Sequence, residues 1–167
     1  MSDKTALSNL YKALGNFLKP KEEVKELTKS VDIEERKCLE VMFEANKKDA
    51  HGNWYTEETI VKAKTSYDNN VIPANLFHMV ETESFSVQDT FILEEDTTYE
   101  NEGQEVFVQK GSMMAWTQYH DDELWEFKKS SELGGLSPAF LGDINKETGE
   151  ITNVAFSLQD YRGLKEE

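Results

Sequence analysis

Three histidines occur in the 167 residues, and they differ in setting. His51 sits in a Gly-Asn turn and His120 stands just ahead of an acidic helix start. His78 alone interrupts an apolar run, Asn75-Leu76-Phe77-His78-Met79-Val80. An imidazole there must find hydrogen-bond partners, because an unsatisfied buried polar group costs ~1–3 kcal/mol. A satisfied core histidine and a general base are the two readings. The next segment, Val87-Gln88-Asp89-Thr90-Phe91-Ile92, sets an acid into another alternating run. With a tight turn at Glu83-Ser84, His78 and Asp89 would face one another across a hairpin, Cβ atoms ~4.5–5.5 Å apart. A carboxylate at that position accepts from Nδ1–H and steadies the imidazolium. The alternative is an edge aspartate facing water. Ser137 lies in Gly134-Gly135-Leu136-Ser137-Pro138-Ala139-Phe140, after a helix stop. A serine attacks a carbonyl only beside a base, and a glycine-rich approach gives a substrate backbone close access. No Gly-x-Ser-x-Gly elbow is present, so a turn serine is the plain alternative.

Other reactive residues point away from redox or metal chemistry. The single cysteine, Cys38, excludes an internal disulfide and a four-thiolate metal site, and fits a reducing cytoplasm. Its place in Lys37-Cys38-Leu39-Glu40-Val41 predicts a buried structural thiol. The oxygens of Asp143-Ile144-Asn145-Lys146-Glu147-Thr148-Gly149-Glu150 lack the full EF-hand spacing, so a hairpin turn is expected. No cofactor and no metal are expected.

The elements that must position these residues follow from periodicity. Leu7, Leu10, Tyr11, Leu14, Phe17 and Leu18 recur at spacings of three and four, marking an amphipathic helix that ends before Pro20. Residues 1–30 are read as a helical appendage that docks or self-associates, and residues 31–167 as the main domain. Leu39, Val41 and Phe43 alternate as in a half-buried strand, followed by a turn at Asp49-Ala50-His51-Gly52-Asn53. Thr56 N-caps a helix over residues 56–68. Strands are expected at residues 74–80, 85–93, 105–108 and 112–119. Asp121-Asp122-Glu123 opens a third helix that Gly134-Gly135 stops. Residues 136–141 and 151–158 return to strand, and residues 162–167 read as a charged tail. The pattern is α+β, a meandering, mainly antiparallel sheet with flanking helices.

Composition narrows the partners. With 33 acidic and 18 basic residues the net charge is −15. Such a surface repels phosphates, so no nucleic-acid partner is expected; the plain reading of the charge is solubility, and attraction to a basic protein surface is the alternative. No run approaches ~20 apolar residues and the first residues lack a signal-peptide layout, so no membrane partner and a cytoplasmic site of synthesis are expected.

Taken together and in order, several of these segments resemble the phage prohead maturation serine proteases of the XkdF-like group. The matching pieces are Asp49-Ala50-His51-Gly52-Asn53-Trp54-Tyr55-Thr56-Glu57-Glu58, the run holding His78, Val87-Gln88-Asp89-Thr90-Phe91-Ile92-Leu93, and Lys110-Gly111-Ser112 leading to Trp116. Tyr119-His120-Asp121-Asp122-Glu123-Leu124-Trp125-Glu126 and Gly135-Leu136-Ser137 complete the set. The resemblance spans roughly residues 36–142. It implies a herpesvirus-protease-like fold, a barrel-like sheet with flanking helices. It also implies cleavage of scaffold and major capsid precursor proteins inside the immature head, in the host cytoplasm. On this chain it makes Ser137 the nucleophile, His78 the base and Asp89 the third member, where the family usually has Glu. Pro138 departs from the small residue expected after the serine and has no N–H, so Ala139 or the Gly134-Gly135 turn must supply the oxyanion donor. Without such a donor the chain would be an inactive capsid or scaffold-associated protein keeping the protease fold. A nucleic-acid mimic is disfavoured by the mixed Lys/Glu pattern.

Overall fold

The alternating residues of β2 (Lys37–Phe43) and β8 (Met113–Tyr119) pair antiparallel at the centre of the molecule. The structure is a computed structural model that describes residues 30–32, 35–76, 78–101, 104–130, 133 and 135–166. The amphipathic helix expected over residues 7–18 lies outside the described residues. A short strand, β1 (Ser30–Asp32), flanks β2, and β5 (Phe85–Ile92) flanks β8, giving the order β1-β2-β8-β5.

Side chains alternate across this sheet, so each face has its own core. On one face Cys38, Phe85 and Tyr119 meet Leu124 and Trp125 of helix α2 (Asp122–Lys129). Further along that face Phe43, Met113 and Ala115 meet Ile60 and Ala63 of α1 (Glu57–Asp68) and Val154 of β10 (Ile151–Ala155). On the other face Leu39, Met114 and Trp116 are covered by Tyr99 and Val108, from the hairpin of β6 (Thr97–Asn101) and β7 (Gln104–Val108). The paired elements are antiparallel, and no sheet closes into a barrel among the described residues. The barrel-like expectation is therefore corrected to an open sheet with two-stranded additions.

Both expected helices form where their caps are. Thr56 Oγ1 accepts from Thr59 N–H at 3.1 Å, and Asp121 Oδ1 accepts from Leu124 N–H at 3.0 Å. Acidic first turns favour both helix starts. Lys128 on α2 reaches through the apolar contact to an ion pair with Glu40 of β2, each side chain 1% exposed. Thr117 Oγ donates to the other Glu40 oxygen at 3.1 Å. Burial, reinforced by Glu40 and then Cys38, pushes the neighbouring Tyr119 phenol far up.

The C-terminal part keeps the expected hairpin turn and departs from expectation beyond it. The hairpin of β9 (Leu141–Ile144) and β10 turns at residues 145–149, where Asn145 Oδ1 accepts from the Glu147 and Thr148 amides. Gly149 has φ +80°, and a Cβ there would stand 2.1 Å from the Gly52 carbonyl oxygen. That close approach lets Trp54 N–H bond Gly149 O at 3.0 Å, tying the hairpin to the turn before α1. Residues 158 onward form helix α3 (Leu158–Leu164), capped by Ser157, where a strand end and a tail were expected. Among the described residues no helix is long and apolar enough to cross a membrane.

Candidate functional site

Ser137 is presented by the segment that leaves α2. Leu136 packs against both cores of the helix-covered face, and Phe140 meets Phe43 edge-on with ring centroids 5.5 Å apart. These anchors hold the segment from beneath while Ser137 itself stays exposed. Pro138 steers Ser137 into extended geometry.

His78 is presented by a different device from the one expected. The run expected as one strand over residues 74–80 is broken into β3 (Asn75–Leu76) and β4 (Val80–Glu81), paired as a miniature hairpin. His78 occupies its turn at φ 58°, a left-handed conformation that a residue with a side chain seldom adopts. Asn75 Oδ1 accepts from the His78 amide at 3.0 Å, and Met79 N–H donates to Leu76 O at 3.0 Å, so the turn is fastened locally. His78 is therefore exposed at a hairpin tip, not buried within a strand.

The two devices converge. His78 Nε2 and Ser137 Oγ stand 3.0 Å apart, within the reach of a serine–base hydrogen bond. With Nδ1 carrying the ring proton, the hydroxyl donates to Nε2. Among the described residues Nδ1 has no partner.

Asp89 does not join them, and the hairpin register that would bring it opposite His78 is corrected. Strand β5 pairs with β8, not with the strand holding His78. Within that ladder Val87 pairs Thr117, but Asp89 pairs Trp116, because Gln88 is an extra bulged residue. One extra residue reverses the parity of every side chain beyond it. Asp89 thus shares the face of Trp116, whereas Leu76 and Leu136, the neighbours of the Ser–His pair, pack on the opposite face. Its exposed carboxylate makes no hydrogen bond or ion pair among the described residues.

A second serine–histidine contact was not anticipated. Ser86 Oγ lies 2.8 Å from His120 Nε2 and accepts from the Gln88 side-chain amide at 2.6 Å. The pairing of Phe85 with Tyr119 brings these two together, a signal that only the strand register carries. The sites differ in their surroundings. Ser86 lies within the β5–β8 ladder, opposite Gln118. Around Ser137, by contrast, no backbone hydrogen bond outside helices and strands uses an amide of residues 135–139 among the described residues. Free N–H groups beside a serine hydroxyl are what an oxyanion needs. Among the described residues no group of three or more His, Cys, Asp or Glu side chains is placed to hold a metal.

A family model described as "Putative phage serine protease XkdF" matches residues 23–146. The chain belongs to that family. The XkdF match covers every element that carries the Ser137–His78 pair and ends inside the turn of the β9–β10 hairpin. No curated protein and no solved structure matches the chain.

Proposed function

We propose that this XkdF-family protein is a serine endopeptidase that cleaves scaffold and major capsid precursor proteins within the immature phage head, in the host cytoplasm. The observation that carries the reading is the 3.0 Å contact between His78 Nε2 and Ser137 Oγ, made beside unpaired backbone amides. His78 takes the hydroxyl proton as Oγ attacks the scissile carbonyl. Pro138 has no N–H, so the developing oxyanion is received by the amides of Ser137 and Ala139. Collapse of the tetrahedral intermediate expels the amine, which leaves with the proton from His78. Water, deprotonated by the same ring, then attacks the acyl-enzyme; the acid product departs and the Ser137 hydroxyl is restored. Asp89 takes no part in this cycle. The Asn75-fastened turn holds His78 in place of a triad carboxylate.

Two observations favour a second reading, a catalytically inactive capsid or scaffold-associated protein with this fold. They are the unpartnered Nδ1 of His78 and the proline directly after Ser137. Co-expression with the precursors separates the two. Ser137→Ala should stop precursor cleavage while leaving the circular dichroism spectrum unchanged. Cleavage that persists in this variant would remove Ser137 from the mechanism.

A further inference from the structure

Residues 135–140 join the end of α2 to β9, and their exposure alternates. Gly135, Ser137 and Ala139 are exposed, whereas Leu136, Pro138 and Phe140 are partly buried. A period of two is the mark of a strand. Pro138 reinforces it, since its ring sets its own φ near −65° and disfavours helical geometry at Ser137. Yet residues 135–139 belong to no ladder among the described residues. Outside helices and strands, no backbone hydrogen bond uses an amide or carbonyl of these five residues among the described residues. The segment is a strand in form, anchored by Leu136 and Phe140 and unpaired among the described residues.

We infer that this unpaired strand is the edge to which the substrate adds, as an extended polypeptide lying beside residues 135–139. The inference rests on the protease reading of Ser137 and His78. Ser137 sits at the middle of the strand, so a peptide presenting its scissile carbonyl to Oγ must pass the outward neighbours two residues to either side. Those neighbours are Gly135 and Ala139, each ~6.6 Å along the strand. Main-chain pairing binds a peptide with little demand on its sequence, and side-chain room then sets what passes. Gly135 supplies such room. A Cβ built on it meets nothing within 4 Å, and its φ is not in the left-handed region, so neither packing nor backbone conformation requires glycine there. The space above it is open to the substrate.

The test uses carboxymethylated casein as an unfolded polypeptide and a small fluorophosphonate that reacts with Ser137. The quantity read is the ratio of labelling rates without and with casein. At about ten times its half-protecting concentration, casein should slow labelling of the wild type about tenfold. Gly135→Val, with unchanged circular dichroism, should label in the absence of casein but show a ratio near one. Gly163→Ala, remote on α3 and with open space at its Cβ, should keep the wild-type ratio. Equal protection of wild type and Gly135→Val would overturn the inference, as would a labelled but unprotected wild type. A folded Gly135→Val that no longer labels would also overturn it, by making the strand part of the positioning of Ser137. Absence of any Ser137 labelling in the wild type would instead remove the protease reading, and the binding edge with it.

Discussion

His78 Nε2 stands 3.0 Å from Ser137 Oγ although 59 residues of chain separate them. A two-residue strand, a left-handed turn and an asparagine side chain set one partner. A proline and two partly buried anchors set the other. Neither relies on a carboxylate, and that simplifies what mutation should do.

Asp89→Asn is expected to leave precursor cleavage within about threefold of wild type, because the bulge at Gln88 turns Asp89 to the sheet face away from the Ser–His pair. Loss of a true triad carboxylate costs about 10⁴-fold in kcat. A fall of that size in the Asn variant would mean that the β5 register shifts when substrate binds.

The buried pair of Lys128 and Glu40 anchors α2, and through α2 the start of the segment carrying Ser137. Lys128→Met should destabilise the fold by about 3–5 kcal/mol, since it strands a carboxylate that is almost fully buried. Adding Glu40→Leu should recover most of that loss. Urea denaturation of both single variants and the double variant checks the coupling; strictly additive losses would show that the two side chains do not act as a pair.

Much of this framework was legible in residue types, and the exceptions have identifiable causes. Helices α1 and α2 announce themselves through Thr56 and Asp121, because a cap acts on amides within three residues of itself. The central pairing of β2 with β8 follows alternation that both strands keep until a late irregularity. The hairpin at His78 was hidden because its strands are two residues long and its turn needs a left-handed histidine, which no periodicity encodes. Asp89 was misplaced because β5 pairs with β8 and not with the His78 hairpin, and because a single bulged residue reverses its facing while leaving the apolar pattern looking continuous. Helix α3 was missed because it is only seven residues long, buries none of them and includes Gly163.

Acid should loosen the C-terminal unit first. Asp143 accepts from Asn153 Nδ2 at 2.8 Å, from the Tyr161 hydroxyl at 2.6 Å and from Lys165 Nζ at 3.1 Å, joining β9 to β10 and α3. These bonds, that from Asn153 foremost, hold its carboxyl down to about 2. A carboxylate depressed on folding contributes stability that is fully present above its unfolded value of about 3.9 and is lost as pH falls through the folded one. Thermal melts should therefore drop more steeply between about pH 4 and about 2 for the wild type than for Asp143→Asn. Parallel curves would show that Asp143 is as easily protonated in the folded chain as in the unfolded one.

Activation of Ser137 by His78 is read out by fluorophosphonate labelling located by mass spectrometry in the wild type and in His78→Gln. Label is expected on Ser137 in the wild type, slowed by ~10²–10⁴-fold in the variant, the range of a lost general base. Label on Ser86, none on Ser137, or equal labelling of Ser137 in both proteins would contradict it.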